Sequence, residues 1–204
     1  MTVVTSITAL RHGNAERKVD TGNTRDDDLV RRLSETGVAQ AKNKTDLFNQ
    51  ETATVLTSPA LRAQYTAELV CDNVVIKATH ILPELYTPVG KDGERLDADF
   101  ERLGYAPAAT YLAQDTFGAW RRFEATAGKA IASKIQSASD GNINDFVVGG
   151  HAVYTNVAIA GALYELGYEV PDYVIKVIYA LELPEVGAFT ITFIDGKFAS
   201  LEIF

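Results

Sequence analysis

Val3 to Leu10 (VVTSITAL) carries β-branched and apolar residues at both odd and even positions. That is the pattern of a strand buried on both faces, as in a parallel sheet. Thr52 to Thr57 (TATVLT) is a second strand candidate, Val74 to Ile76 a third short strand and Asp145 to Gly149 (DFVVG) another buried one, and Val174 to Leu183 is taken as a further strand region. Between them the period changes to that of helices. Ser34 opens a helix running through Val38 to Phe48, and Ser58-Pro59 stands before another from Ala60 to Cys71, Ser as N-cap and Pro at the first position. Phe117 to Ser137 is a long helix, and Asn156 to Leu166 another that Gly167 ends. Ala15 to Asp28 is polar and reads as loop. Leu82 to Asp115, rich in Pro and Gly, reads as a partly helical excursion. Phe189 to Ile194, Asp195-Gly196 and Lys197 to Phe204 predict a terminal hairpin. The expected fold is α/β: a mainly parallel central sheet flanked by helices on both faces, with a C-terminal hairpin. One domain over residues 1–204 is expected, with a cap or insertion-like segment at about 86–116.

Composition narrows the function. The chain of 204 residues has a formal net charge of −8, which argues against nucleic acid or anionic membranes as partners. The single cysteine, Cys71, excludes an internal disulfide, and its place in a helix pattern reads as a small buried hydrophobe. The N-terminus shows neither a basic region nor a long apolar run, and no apolar run reaches membrane-spanning length, so a cytoplasmic protein in its mature form is expected. Asp26-Asp27-Asp28 lacks the alternating spacing of a metal loop and reads as a solvated stretch. No metal or cofactor is expected.

In a parallel sheet, sites form beyond the carboxyl ends of the strands. Two strands end in histidine, at Arg11-His12-Gly13 and Gly149-Gly150-His151, and a third ends in Ser58-Pro59 with Arg62 one turn on. Arginine forks match phosphate oxygens, and neutral imidazole is both nucleophile and proton carrier. Together they suit phosphoryl transfer to a histidine nitrogen and then to water, with arginine and imidazole in place of a metal. Glu84, after the third strand, is the candidate proton donor. His80 reads as a structural or surface histidine. Tyr154 and Asn156, flanking His151, are candidates for the pocket wall or for capping the helix.

Arg11-His12-Gly13, Leu33-Ser34-Glu35-Thr36-Gly37 with Gln40-Ala41, Thr57-Ser58-Pro59-Ala60-Leu61-Arg62-Ala63 with Thr66-Ala67, and Gly150-His151 together resemble the histidine phosphatase superfamily, also called phosphoglycerate-mutase-like. The resemblance is nearest to its small bacterial phosphohistidine-phosphatase-like members. It implies a metal-independent phosphomonoesterase. His12 would become the phosphohistidine, Arg11 and Arg62 would bind phosphoryl oxygens, and His151 would contact the phosphate. Arg31 would add a phosphate-pocket arginine, with Arg32 as the alternative. Asn14 stands where many members carry an acidic residue. Ala152 replaces the Asp that follows the second histidine in the acid-phosphatase branch, and Glu84 lacks the motif of the mutases. Phosphate binding without turnover and mutase-type transfer are the competing functions. The expected substrate is a phosphorylated small molecule or phosphoprotein, and Tyr105, Tyr111, Phe117, Trp120 and Phe123 form helix core or a lid over the site. Oligomeric state is not legible from the sequence.

Overall fold

The computed structural model describes residues 2–18, 20–47 and 50–204. Six strands form one sheet: β1 (Val4–Arg11), β2 (Thr52–Thr57), β3 (Val75–Ile81), β4 (Ile143–Gly150), β5 (Ala188–Ile194) and β6 (Lys197–Ile203), in the order β3-β2-β4-β1-β5-β6. The β3, β2, β4 and β1 neighbours pair in parallel, while β5 runs antiparallel to β1 and to β6. This is the expected mainly parallel sheet with its terminal hairpin.

Among the described residues, eight α-helices lie between the strands: α1 (Thr24–Leu29), α2 (Glu35–Lys42), α3 (Leu61–Val70), α4 (Lys91–Leu103), α5 (Ala108–Ala113), α6 (Ala119–Ala138), α7 (Ala152–Leu166) and α8 (Asp172–Ala180). Both faces of the central strands are buried, as their unbroken apolar pattern requires. Ile7, Ala9, Leu56, Phe146 and Val148 join the core under α6 and α7, while Leu10, Val55 and Val147 pack with Ala67 and Val70 of α3 on the other face. The α6–α7 contact is so close that a Cβ on Gly128 would lie 2.4 Å from the carbonyl carbon of Gly161.

Several elements differ from the sequence reading. Val174 to Leu183, expected as strand, is mostly the helix α8. Its β-branched residues favour strand locally, but Val174, Ile175 and Ile178 are buried at helical spacing, and packing overrides propensity. The polar stretch expected as loop contains α1, capped by Asn23, whose side-chain oxygen accepts from the Asp26 amide. β3 runs five residues past the expected Ile76. It is an edge strand with a mostly exposed face, so apolar alternation did not mark it. α2 stops at Lys42, and Phe48, the expected helix end, lies outside the described residues. Ser58 and Pro59 precede α3 but do not cap it: the N-cap is Ala60, without a side-chain bond. Tyr111, Trp120 and Phe123 are buried, whereas Tyr105 and Phe117 are 62% and 65% exposed. No helix among the described residues is long and apolar enough to cross a membrane.

Candidate active site

The register brings three strand ends together. Arg11 pairs with Gly150, and Thr57 with Gly149. Just beyond, the His12 amide donates to the Gly150 carbonyl at 3.0 Å and the Ser58 amide to the Gly149 carbonyl at 2.9 Å. His12, Ser58 and His151 therefore stand on one rim, although 139 residues separate the histidines in sequence. A cavity of about 770 Å³ opens above them, lined by Arg11, His12, Arg31, Arg62 and His151 among others.

The loop after β1 is held from below by α2. The Asn14 amide donates to Gln40 at 2.9 Å, and the Asn14 and Gln40 side-chain amides both donate to Glu185, each at 3.0 Å. Gly37 makes this approach possible, since a Cβ there would lie 2.0 Å from the Asn14 carbonyl oxygen. The Ser34-to-Gly37 motif thus serves the nucleophile loop as well as the helix start, where Ser34 caps α2 through the Gly37 amide.

The two imidazoles are held in opposite tautomers. His12 Nδ1 lies 2.7 Å from the Gly13 carbonyl, so it carries the hydrogen, and Nε2 accepts from Arg62 Nε at 3.2 Å. His151 does the reverse: Nδ1 accepts from Arg62 Nη2 at 3.3 Å, which leaves Nε2–H to donate to the Ser58 hydroxyl at 2.9 Å. The rings meet edge-on with centroids 5.1 Å apart. Burial and the Arg62 charge push His12 down to about 4, and the same two causes push His151 well below the ordinary histidine value. Both rings are neutral at physiological pH, and His12 presents an unprotonated Nε2.

Arg62, on the first turn of α3, is 5% exposed and joins the two rings. Arg11 donates to the Leu183 carbonyl at 2.6 Å and lies 4.8 Å over the Tyr105 ring. Arg31 lines the cavity and pairs with Asp28 at 2.9 Å. Arg32, the alternative, is exposed and does not line it. Glu84 sits half-buried in a one-turn helix (Pro83–Leu85) whose buried residue is Leu85, and it does not line the cavity. Its neighbour Tyr86 takes the inward place, its ring 5.4 Å from His151. Tyr154 reaches the cavity wall, but Asn156 does neither thing expected of it: its amide donates to the Ile178 and Leu181 carbonyls and so closes the end of α8. His80 is half-buried on β3, outside the cavity lining. Cys71 is buried, its thiol pushed up to about 12 by burial.

Several residues of the site escaped the sequence reading, Ser58, Tyr86 and Asp28 among them. Ser58 anchors His151, a partner invisible until β2 and β4 pair. Tyr86 and Asp28 meet through a hydrogen bond of 2.5 Å. The aspartate run is not a solvated loop: Asp27 is buried against Thr21, and Asp28 faces the cavity. A spacing signal did exist, because Asp28 and Arg31 stand three residues apart and form an ion pair.

This is the phosphoglycerate-mutase-like α/β fold, with His12, His151, Arg11, Arg31 and Arg62 among the residues lining one cavity at the carboxyl ends of its strands. Residues 7–88 match the model of the histidine phosphatase superfamily (branch 1), a segment that holds Arg11, His12, Arg31 and Arg62, so the family likeness read from the sequence stands. Solved structures share the fold over nearly their whole length. YhfR of Bacillus stearothermophilus is 19% identical at a TM-score of 0.61, covering 96% of this chain and 94% of its own. A phosphoserine phosphatase of Entamoeba histolytica, solved with 3-phosphoglyceric acid, is 16% identical at 0.55, covering 96% and 97%. The protein histidine phosphatase SixA, solved with tungstate, is 20% identical at 0.54, covering 97% and 96%. No curated protein matches the chain by sequence.

Proposed function

We propose that this protein is a metal-independent phosphomonoesterase that works through a phosphohistidine on His12. The observation that carries the reading is the tautomer pair: His12 is fixed with Nδ1–H on its own loop and an unprotonated Nε2 that accepts from Arg62, inside a cavity lined by arginines. Nε2 attacks phosphorus in line with the ester oxygen, whose bond breaks as the N–P bond forms; the oxygen keeps the bonding pair and takes its proton from solvent in the open cavity. Arg11, Arg31 and Arg62 neutralise the equatorial oxygens. His151 contacts the same oxygens, and the bound anion favours its protonated form. Water then attacks phospho-His12 and releases inorganic phosphate, restoring the neutral ring. Glu84 does not face this centre, so the reading assigns it no proton transfer. The substrate is a phosphorylated small molecule or a phosphoprotein side chain. The phosphatases among the structural relatives and the family match over residues 7–88 support the class of reaction.

The test is a phosphate label. Brief exposure to a labelled aryl phosphate should give an acid-labile phosphoenzyme, mapped to His12. His12→Ala should lose the label and lower kcat by at least roughly 1,000-fold, since the covalent route runs through its Nε2. Unchanged hydrolysis in that variant would overturn the proposal.

A further inference from the structure

Asp28 takes part in more contacts than any other carboxylate of the cavity, yet the chemistry above gives it nothing to do. Its Oδ2 accepts from Arg62 Nη2 at 2.7 Å and from the Tyr86 hydroxyl at 2.5 Å, and its Oδ1 accepts from Arg31 Nη1 at 2.9 Å. Its backbone carbonyl accepts from Arg62 Nη1 at 2.5 Å. Burial alone would raise its pKa, but the Arg62 charge and the Tyr86, Arg62 and Arg31 hydrogen bonds outweigh burial and hold the carboxyl below its usual range.

A carboxylate gripping the phosphate-binding arginines either occupies the place of the anion or stands behind the clamp. The two edges of the Arg62 guanidinium decide between these. A guanidinium can grip with its Nη1/Nη2 edge or its Nε/Nη2 edge. Asp28 takes the first, through backbone and side chain of the same residue. The second faces His12 Nε2 at 3.2 Å and His151 Nδ1 at 3.3 Å, where a phosphoryl group has to sit to be attacked. Asp28 thus grips a different edge of Arg62 from the one that faces the histidines, sharing only Nη2 with it.

We propose that Asp28 is a positioning residue: it holds the Nε/Nη2 edge of Arg62 toward the phosphoryl group and ties Arg31 and Tyr86 to the same anchor. This rests on the phosphohistidine reading. It predicts a division between ground state and transition state. Asp28 itself contributes negative charge near an anion, so its removal does not weaken ground-state phosphate. Its loss leaves Arg62 free to turn, which harms the five-coordinate transition state.

The experiment compares inorganic phosphate, vanadate and an aryl phosphate on the wild-type protein and the Asp28→Asn variant. The variant should bind phosphate as tightly as wild type or more so. It should bind vanadate about 10-fold more weakly and turn over roughly 10- to 100-fold more slowly in kcat, without a matching rise in KM. Equal weakening of phosphate and vanadate would reduce Asp28 to a structural part and overturn the proposal, as would no change in either. Tighter binding of both with a higher kcat/KM would show that Asp28 blocks the site, which also overturns it. If the variant does not fold, Tyr86→Phe removes one of the carboxylate's donors and should shift the phosphate-to-vanadate ratio in the same direction by a smaller factor, no shift overturning the proposal. A wild-type protein that binds vanadate but never forms phospho-His12 defeats the catalytic reading alone, because the binding ratio still reports on Asp28.

Discussion

The floor and the outer wall of the cavity are built differently. On the floor, both nitrogens of His12 and of His151 are hydrogen-bonded, and Arg62 is shared among His12, His151 and Asp28. These side chains hang on strand ends and first helical turns packed against the core. The wall is one face of α4 and its exit, where Glu94, Asp97, Phe100, Glu101 and Tyr105 line the cavity. Glu94 and Glu101 are exposed, and neither forms an ion pair among the described residues. A floor saturated with internal bonds keeps one geometry before any substrate arrives, which is what electrostatic catalysis needs. The exposed Glu94 and Glu101 of the wall, held by no ion pair among the described residues, contribute charge rather than geometry.

Beyond loss of the His12 nucleophile itself, the largest effect should come from breaking the floor at its centre. Arg62→Lys keeps the charge but cannot serve His12, His151 and Asp28 at once from one planar fork. kcat/KM for an aryl phosphate should fall roughly 100- to 1,000-fold, the cost typical of a lost transition-state donor. A loss below about fivefold would mean that charge alone matters, and the floor would then resemble the wall. Ser58→Ala is the milder test. The hydroxyl receives His151 Nε2–H, and without it the ring can turn and exchange tautomers. One net hydrogen bond corresponds to about 0.5–1.5 kcal/mol, so kcat should fall up to about 10-fold while the melting temperature changes little.

How much of this was legible follows from where the information lies. The strands buried on both faces announce themselves in Val3–Leu10 and Asp145–Gly149, because every residue of such a strand must be apolar or small. His12, Arg62 and His151 were legible because strand ends are where a parallel sheet builds sites and because their motifs are specific. α8 was not: its β-branched run suggests a strand, and only the packing of Val174, Ile175 and Ile178 makes it helical. Ser58 and Asp28 were misassigned for a common reason. Each has a complete local explanation, as a helix cap or a solvated acid, and the partners that displace it are at residue 151 and residue 62.

The smallest effect, and the one that sharpens the contrast most, belongs to the wall. The chain carries a net charge of −8, and Glu94 and Glu101 are exposed carboxylates among the acidic residues that line the cavity. Exposed charges of this kind act through the field and are worth about 0.2–1 kcal/mol. Glu94→Gln with Glu101→Gln should therefore lower KM for a phosphate dianion about two- to fivefold at low ionic strength and leave kcat alone. The Debye length shortens to about 8 Å in physiological salt, so the difference from wild type should shrink as salt is added, while the Arg62→Lys deficit, set by contact geometry, should not. The same logic gives wild type itself a kcat/KM that rises with salt at the low end. If the double variant lost more than about 10-fold in kcat, the wall would be touching the reacting atoms, and the division between a geometric floor and an electrostatic wall would fall.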